Sequence, residues 1–313
     1  MSTSTLLEEK KSISITDTTM PTKIIITGCS GFLGHHLIGK GLEMGWQVIG
    51  IDKRPIPPGH LLPSQFIQTD VFDLEAEDLR DVQYVVHLAF AVNIPNSVRH
   101  PERTTYQNID MTIHLLEVCK EAGIKKFLFP STASLYSKNP TPWTEDMPPL
   151  PVEPYSWQKL SCEYACKLYS QFFPTIIFRL FQVFGEFQRK DSALYAFQQA
   201  KKDGKLVNIT RNMFQSTFET CQRDFIYAGD IAEAMITALE SEDVKSGEIF
   251  NIASGKVHTM EEIAKAIKAK INWIPMRDYE VVRHEGNIDK IKALGWKPTT
   301  DILQWLETIP TKY

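Results

Sequence analysis

The chain has 313 residues, of which 43% are hydrophobic and 23% are charged. That composition is typical of an ordinary globular protein, and at roughly 150 residues per domain the length favours two domains or one with an appendage. Lys and Arg number 34 against 38 Asp and Glu, a net charge of −4, so neither nucleic acid nor an anionic membrane is indicated as a partner. Apolar runs such as 84–92 are too short to span a membrane.

Five cysteines occur without a CxxC pair. This usage predicts neither a disulfide framework nor a zinc site, so we expect no metal and a reducing, cytoplasmic compartment. Residues 1–21 are predicted to be a flexible tail. Ten of the first 22 residues are Ser or Thr, and the tail has no Arg but contains Glu8, Glu9 and Asp17. These features do not fit a secretory signal or a mitochondrial presequence.

Up to residue 181, short apolar runs alternate with helical patterns. Predicted strands cover 23–27, 47–51, 66–69, 84–88, 127–129 and 175–180, and predicted helices cover 32–44, 101–123 and 154–169. Such an alternation is typical of an α/β fold with a parallel sheet covered on both faces. After residue 181 the elements become shorter, with predicted helices at 191–203, 229–240, 259–269 and 301–307. We expect 182–313 to form mainly a smaller α/β lobe that binds substrate, with some segments packing back on the first part.

A glycine cluster follows the first strand and opens the first helix. Backbone N–H groups in such a turn can face a pyrophosphate, and glycine permits its close approach. The candidate cofactor-binding residues here are Gly28, Ser30, Gly31, Phe32, Leu33 and Gly34. The position between a strand and a helix predicts a Rossmann-type, doubly wound NAD-binding domain over residues 22–181. A plain tight turn is the alternative.

Acidic residues follow the second and third strands. Asp52 can accept hydrogen bonds from both hydroxyls of a ribose, which favours NAD. Lys53 and Arg54 could instead hold a 2′-phosphate, so NADP stays an alternative. Asp70 and Val71 are expected at the edge of the adenine, although Asp70 could equally be a loop cap.

Tyr155 and Lys159 are four residues apart and therefore share one helix face. A phenol has a pKa of ~10, but a neighbouring Lys⁺ and a nicotinamide cation would both favour the phenolate and make it a base for an alcohol proton. The run Ser131-Thr132-Ala133-Ser134 follows the fifth strand. It places hydroxyls at the sheet edge where ligands bind in open α/β folds.

With these residues assembled, the chain resembles the extended short-chain dehydrogenase/reductases, specifically the NAD-dependent epimerase/dehydratase family that acts on nucleotide sugars. The resemblance covers about residues 22–308 and rests on ordered motifs. These are residues 27–34, 87–89, 97–101, 131–136, 155 with 159, 179–181, 223–226, 250–252 and 294–298.

The resemblance implies a role for each matching residue. Tyr155 would be the base, Lys159 would bind the nicotinamide ribose, and Thr132 would hydrogen-bond the sugar hydroxyl. Leu88, Ala89, Phe90 and Ala91 would line the cofactor, Phe181 would pack near the nicotinamide, and Gln182 and Arg223 would bind the substrate diphosphate. A salt bridge to Asp224 or Asp230 is the alternative for Arg223.

Departures from the family pattern reduce the number of reactions that the chain is expected to catalyse. Family 4,6-dehydratases carry Asp-Glu where this chain has Ala133 and Ser134, and the related decarboxylases use a Glu at the second position. Neither Ala nor Ser can supply those proton transfers. Ser131 and Ser134 are expected to satisfy backbone groups. Residues 206–220, expected to touch the nucleobase, match the family poorly.

The resemblance therefore implies C4 epimerisation of a nucleotide-diphosphate sugar through a transient 4-keto sugar. An NAD(P)H-dependent 4-ketoreductase is the alternative, and a catalytically silent NAD-binding scaffold is a third possibility.

The helices at 101–123 and 154–169 carry apolar residues beyond one stripe, namely Leu115, Val118, Tyr164 and Leu168. The resemblance implies a homodimer through a four-helix contact, and burial within a monomer is the alternative.

Overall fold

The structure is a computed structural model that describes residues 21–190, 192–211, 220–276 and 281–308. Residues 1–20 of the predicted tail lie outside the described residues. Asp191, at the start of a predicted helix, and residues 212–219 of the segment expected at the nucleobase also lie outside them.

Seven strands form a central parallel sheet. They are β1 (Lys23–Thr27), β2 (Gln47–Ile51), β3 (Gln65–Ile67), β4 (Tyr84–His87), β5 (Lys126–Thr132), β6 (Thr175–Leu180) and β10 (Glu248–Ile252). Their order is β3-β2-β1-β4-β5-β6-β10, and every neighbouring pair is parallel. The first six strands have the order of a Rossmann sheet, in which the direction of winding reverses between β1 and β4. The predicted fold class is confirmed.

The remaining strands form two small sheets. β7 (Gln182–Phe184), β9 (Gln222–Tyr227) and β11 (Val257–Thr259) make one, and β8 (Val207–Arg211) pairs with β12 (Ile271–Pro275) in the other. The chain returns from this region to place β10 at the edge of the central sheet. Some late segments therefore pack back as expected, whereas the division of the chain at residue 181 stays a prediction.

Ten α-helices lie in the described residues. They are α1 (Phe32–Glu43), α2 (Ile94–Arg99), α3 (Pro101–Thr105), α4 (Met111–Ala122), α5 (Pro154–Tyr169), α6 (Ala193–Lys202), α7 (Ala228–Glu240), α8 (Met260–Ala266), α9 (Asp289–Lys292) and α10 (Ile302–Thr308). None of these helices combines the length and apolarity needed to cross a membrane.

The helix predicted over 101–123 is continuous but not uniform. A π turn at Tyr106–Asp110 separates α3 from α4, and Gly123 ends the helix with a φ of 71°. That left-handed conformation favours glycine, which explains why the helix ends where the sequence predicts.

Both faces of the central sheet are buried. Ile24 and Ile26 of β1 belong to the apolar cluster on the α1 and α7 face, and Ile25 belongs to the cluster on the α4 and α5 face. All three side chains are fully buried. This alternation follows from the two-residue period of a strand, and each buried Ile contributes roughly 1.5–3 kcal/mol.

The apolar residues singled out on the two long helices divide into two groups. Leu115 and Val118 are buried, at 0% and 6% exposure, whereas Tyr164 and Leu168 are 56% and 68% exposed. Leu115 and Val118 therefore belong to the core and take no part in any intermolecular contact, which corrects the expectation for those two residues.

Candidate active site

The predicted site residues converge at the carboxyl edge of the central sheet. The glycine turn follows β1, Asp52 follows β2, Leu88 to Ala91 follow β4, and Thr132 ends β5. Because the strands are parallel, these ends lie at one edge, next to the point between β1 and β4 where the strand order reverses. Ligands bind in this crevice in open α/β sheets.

The glycine turn fits a pyrophosphate. Gly28 has a φ of 69°, and a Cβ there would lie 2.6 Å from the backbone nitrogen of Ala89. Gly31 is the N-cap of α1 and supplies no side-chain hydrogen bond. The first N–H groups of a helix have no intrahelical partners. They are therefore available to an anion, which the helix dipole also favours.

Asp52 is buried beside this turn. Its carboxylate accepts hydrogen bonds from the backbone N–H of Ser30 at 3.2 Å and of Arg54 at 2.9 Å. The Arg54 guanidinium pairs with the same carboxylate at 3.4 Å, and Lys53 pairs with Asp70 at 3.2 Å. Lys53 and Arg54, the two cations that could hold a 2′-phosphate, are thus already paired with carboxylates, and this arrangement favours NAD over NADP.

Asp70 is a loop cap in the structure. Its carboxylate accepts the backbone N–H of Phe72 at 3.3 Å, and Val71 beside it is buried. The alternative interpretation of Asp70 is therefore observed, and contact of these two residues with an adenine stays a prediction.

Tyr155 lies in the first turn of α5. Pro154 occupies the first helical position, and the Glu153 carboxylate caps the helix by accepting the N–H groups of Tyr155 at 2.7 Å and Ser156 at 2.9 Å. The Tyr155 ring makes an edge-to-face contact with Phe90, 6.0 Å between centroids. The cap and the proline explain why this helix begins immediately before the tyrosine.

Burial raises the pKa of Tyr155 to about 12. The nearby Thr132 hydroxyl and the positive charge of Arg189 lower this pKa, whereas the Glu153 carboxylate raises it further. Arg189 lies in the loop after β7 and donates a hydrogen bond to the carbonyl of Val92 at 3.3 Å. The sequence alone did not single out Arg189, because it is 34 positions from the tyrosine.

Lys159 is buried one helical turn after Tyr155. Its ammonium donates to the carbonyl of Pro130 at 2.6 Å and lies 3.6 Å from the ring centroid of Phe90. Burial lowers the pKa of Lys159 to about 7. The role of Lys159 in binding the nicotinamide ribose and lowering the pKa of Tyr155 stays a prediction.

Thr132 ends β5 and caps the 3₁₀ turn Ala133–Tyr136. Its hydroxyl donates to the Ser134 hydroxyl at 3.1 Å and accepts the Ser134 N–H at 3.2 Å. The Ser131 hydroxyl is buried and has no hydrogen-bond partner among the described residues. The expectation that Ser131 satisfies a backbone group is therefore wrong, and Ser134 binds the Thr132 side chain.

A buried amide pair joins α5 to the loop after β4. The Asn108 side chain accepts the N–H of Ala91 at 2.7 Å, and its amide donates to the carbonyl of Ala91 at 3.3 Å and to Gln158 at 2.7 Å. Gln158, which lies between Tyr155 and Lys159 in the sequence, also donates to the hydroxyls of Thr104 and Thr105. Sequence analysis missed both amides, although polar residues on the buried face of a helix were a usable signal.

A neutral histidine links the glycine turn to α4. His87 Nδ1 lies 2.8 Å from the hydroxyl of Thr27, and Nε2 lies 3.1 Å from that of Thr112. The Thr27 hydroxyl also accepts the N–H of Ala89 at 3.3 Å. Burial, together with the charge of Lys159, lowers the pKa of His87 to about 3, so this link is uncharged at neutral pH.

Arg223 lies on β9 with its guanidinium turned to backbone. Its Nη1 donates to the carbonyls of Gln222, Val281 and Val282 at 2.8–3.2 Å. Asp224 accepts hydrogen bonds from the backbone of residues 254 and 255, and Asp230 accepts them from residues 299 and 300. The salt bridge considered as the alternative for Arg223 is therefore wrong.

Two further predicted residues follow β6. Phe181 is buried and packs against Trp143, 5.9 Å between ring centroids. Gln182 begins β7 and is half-buried. Contact of Phe181 with a nicotinamide and of Gln182 with a diphosphate stay predictions.

This sheet order and glycine turn define a Rossmann-type dinucleotide-binding protein, and Tyr155, Lys159 and Thr132 add the groups needed for proton transfer to or from an alcohol. A model of the NAD dependent epimerase/dehydratase family matches residues 24–253. The chain belongs to this family, whose cofactor is NAD, and the resemblance inferred from the motifs is confirmed.

Individual relatives cover nearly the whole chain. A putative UDP-glucose 4-epimerase of Methanocaldococcus jannaschii is 30% identical over 305 residues, covering 91% of this chain and 96% of the relative. Among solved structures, a UDP-N-acetylglucosamine 4-epimerase from Methanobrevibacter ruminantium M1 superposes with a TM-score of 0.81 at 28% identity, covering 92% and 96% of the two chains. A UDP-glucuronic acid 4-epimerase from Bacillus cereus, in complex with UDP-glucuronic acid and NAD, gives 0.81 at 29% identity, covering 91% and 97%.

Proposed function

We propose that the protein is an NAD-dependent epimerase that inverts C4 of a nucleotide-diphosphate sugar, most directly a UDP-sugar. The observation that carries the proposal is the position of Tyr155 and Lys159 at the carboxyl edge of the sheet: the Tyr155 ring contacts Phe90 after β4, and Lys159 donates to the carbonyl of Pro130, two residues before Thr132 at the end of β5. Relatives named as UDP-sugar 4-epimerases along nearly the full length support the choice of substrate and of reaction.

Each candidate site residue has a separate role in the proposed reaction. The N-terminal N–H groups of α1 bind the pyrophosphate, and Asp52 binds the ribose next to it. Tyr155 takes the proton of the sugar 4-hydroxyl, and the hydroxyl of Thr132 stabilises the charge that develops on that oxygen. When bound, NAD supplies a reversible hydride acceptor for C4. Rotation of the 4-keto sugar and reversal of the proton transfer at Tyr155 then give the C4 epimer.

The substrate diphosphate is assigned to the lobe side of the crevice. Arg223 uses Nη1 on three carbonyls, which fixes the guanidinium plane and leaves its other donors for phosphate oxygens. Gln182 begins the neighbouring strand β7, which pairs with β9. Because β7 and β9 are paired in one small sheet, Gln182 and Arg223 are fixed relative to each other and can bind the diphosphate together.

Elimination of water is disfavoured by the residues after Thr132. Ala133 is 2% exposed and has no proton to exchange, and the Ser134 hydroxyl is engaged with Thr132. A dehydratase needs an acid and a base at this place. The chemistry is therefore limited to oxidation and reduction of the sugar carbon, which is what epimerisation uses.

The proposal is tested by incubating the purified protein with UDP-, dTDP-, CDP- and GDP-sugars and following the sugar protons by NMR. We expect one or more UDP-sugars to form a product inverted at C4 without consumption of reduced cofactor. A deoxy or keto product contradicts the proposal. Stoichiometric loss of NADH or NADPH absorbance with a 4-keto sugar would instead identify a ketoreductase.

Tyr155→Phe is the matched control. It removes only the hydroxyl, so NAD binding and the folded structure should be unchanged while turnover falls to background. Turnover at the wild-type rate in this variant would refute Tyr155 as the base, even if epimerisation by the wild type is observed.

We also propose that the protein is a homodimer built on α4 and α5. Exposed apolar side chains gather on these helices and on the π turn before α4: Tyr106, Ile113, Trp157, Tyr164 and Leu168 are each at least 40% exposed. An apolar set of this size on neighbouring helices is typical of a protein interface. A second copy presenting the same face would bury it in a four-helix contact.

A reducing compartment, the cytoplasm, is proposed as the place of action. All five cysteines are buried with free thiols, and burial raises the pKa of Cys29 to about 12. Such thiols are inert structural residues and not parts of an oxidised framework. Cell fractionation tests this assignment, and recovery of the protein outside the cytoplasmic fraction contradicts it.

A further inference from the structure

Three histidines and a phenylalanine meet at the start of α1. His35 and His36 lie in the second turn of the helix that begins at the glycine turn, His60 lies in the loop after β2, and Phe187 lies in the loop after β7. None of them has a part in the chemistry described above. Three segments distant in the sequence are thus joined beside the first turns of α1.

The Phe187 ring packs against two imidazoles that also contact each other. Its centroid lies 4.4 Å from that of His35 and 4.3 Å from that of His60, and the two imidazoles are 5.1 Å apart. The ring also covers Gly59, where an added Cβ would lie 3.6 Å from it. Contacts of this length are favourable ring interactions and not incidental proximity.

Phe187 adopts an unfavourable backbone conformation to reach this position. Its φ is 60°, in the left-handed region that bulky side chains rarely occupy. Such strain persists only where the surroundings hold it, and it is concentrated at ligand clamps and active sites.

The residue before Phe187 anchors its loop. The Glu186 carboxylate accepts hydrogen bonds from the Tyr227 hydroxyl at 2.7 Å and from Trp305 Nε1 at 2.8 Å, and its carbonyl lies 3.1 Å from His36 Nε2. Tyr227 and Trp305 belong to β9 and α10 of the smaller lobe. Phe187 is therefore presented to the imidazoles from a fixed support.

The loop that Phe187 contacts is fastened to the cofactor turn at both ends. At its start, the Ser30 hydroxyl donates to the carbonyl of Arg54 at 3.0 Å. At its far end, the backbone N–H of Leu61 donates to His35 Nδ1 at 3.0 Å. The loop thus leaves Asp52, runs beside the first turns of α1 and returns to the helix at His35.

We infer that Phe187 is a positioning residue that holds the loop after β2 against the start of α1, and so keeps Ser30 and Asp52 in place to retain the dinucleotide between turnovers. This inference rests on the proposed function, because an epimerase without net redox chemistry has no need to exchange NAD. Phe187 thus connects the segment after β7 to the loop that begins at Asp52.

The electrostatics of the cluster agree with this arrangement at neutral pH. Burial lowers the pKa of all three histidines, that of His35 to about 4, and the neighbouring imidazoles lower the pKa values of His35 and His60 further. The carboxylate that faces His35 and His36 is Glu186, which raises their pKa. The rings around Phe187 are therefore uncharged under working conditions.

The test compares NAD release from purified protein loaded with NAD, with no sugar present. Phe187→Gly removes the ring while glycine accepts the positive φ without strain. We expect NAD to be lost about tenfold faster than from the wild type, with thermal stability unchanged or higher. His60→Ala should also accelerate release, and Phe187→Tyr, which keeps the ring, should release NAD at the wild-type rate.

Leu62→Ala is the matched control, because Leu62 is in the same loop and is 68% exposed; its release rate should equal that of the wild type. Release from Phe187→Gly within twofold of the wild type overturns the inference. The inference is also overturned if Phe187→Gly loses thermal stability in proportion to its loss of NAD retention, because a purely structural role of Phe187 would lower both. Purified wild type that binds no NAD contradicts this inference and the proposed function together. Absence of epimerase activity with normal NAD retention contradicts only the proposed function.

Discussion

At the scale of single residues, the site is arranged around a phenol that burial keeps protonated. The pKa of Tyr155 is raised to about 12, and the two groups that act against burial are Thr132 and Arg189. Lys159, with a pKa lowered to about 7, is a hydrogen-bond donor near neutrality more than a fixed charge. Thr132 and Arg189 therefore favour ionisation of the tyrosine, and the positive charge of a bound nicotinamide would favour it further.

Thr132→Val tests the two effects proposed for this hydroxyl, which are a lower pKa of Tyr155 and stabilisation of the charge on the substrate oxygen. Loss of the hydroxyl should raise the pKa of Tyr155, so the rising limb of the pH–rate profile should move to higher pH, and kcat should fall roughly 10²-fold at neutral pH. The measurement is kcat and kcat/KM against pH. Thr132→Ser keeps a hydroxyl and should restore the profile. A Val variant with an unshifted profile would mean that Thr132 does not act on Tyr155.

At the scale of elements, α5 is held from two sides. Gln158 joins it to the π turn through Asn108, and Glu163 forms a buried bidentate pair with Arg179 of β6 at 2.8–3.0 Å. The π turn places Asn108 where it can bind both the N–H and the carbonyl of Ala91. π turns occur frequently at functional sites, and this one connects the catalytic helix with the loop assigned to the cofactor.

Gln158→Leu tests how much the hydrogen bond between Gln158 and Asn108 contributes to the stability of the protein. The substitution leaves the buried amide of Asn108 without one acceptor, so unfolding in urea should require about 1–3 kcal/mol less free energy. Ser161→Ala, on the outward side of the same helix, should change the unfolding free energy by less than about 0.5 kcal/mol. Equal losses in the two variants would show that the amide pair adds nothing specific.

The element scale also shows what the sequence could and could not predict. The bounds of α5 and β6 agree with prediction because Pro154 begins the helix and an uninterrupted apolar run defines the strand. The π turn could not be predicted, because it depends on hydrogen bonds from Asn108 to a loop 17 residues earlier. The backbone partners of Arg223 could not be predicted for the same reason, since they lie up to 59 positions away, and only the alternative of a salt bridge to Asp224 or Asp230 was wrong. The sequence likewise shows that Leu115 and Leu168 are apolar, but only the packing of the folded chain decides that Leu115 is buried and Leu168 is exposed.

At the scale of the whole molecule, buried neutral histidines set the response to acid. The pKa of His35 is lowered to about 4 and those of His87 and His284 to about 3, chiefly by burial. Each therefore stays neutral in the folded protein at a pH where the unfolded chain, with a pKa near 6.5, is protonated. Asp224 acts in the opposite direction, because burial raises its pKa to about 6.

Stability should consequently fall as the pH drops from about 6.5 towards 4. The unfolded state binds more protons than the folded state in this window, since three histidines outweigh one aspartate, and the loss between pH 7 and pH 5 should be on the order of 3 kcal/mol. Urea unfolding at a series of pH values measures it. An unfolding free energy that is constant or rises from pH 7 to pH 5 would contradict this account.

The proposed dimer makes a prediction at the same scale. Leu168→Asp places a charge on the exposed face of α5, so it should convert the dimer to a monomer in analytical ultracentrifugation without loss of secondary structure. Leu206→Asp, at a position that is 53% exposed in the smaller lobe, is the control and should stay dimeric. A wild-type protein that is monomeric at micromolar concentration would refute the four-helix contact.

The central claim is that C4 is oxidised and then reduced at the same carbon, with the proton handled by Tyr155. It is tested most directly by giving the enzyme, in ordinary water, a UDP-sugar that carries deuterium at C4. The account predicts a product of inverted C4 configuration that keeps its deuterium at C4, as observed by NMR. Replacement of that deuterium by solvent hydrogen, or turnover that leaves the C4 configuration unchanged, would contradict it.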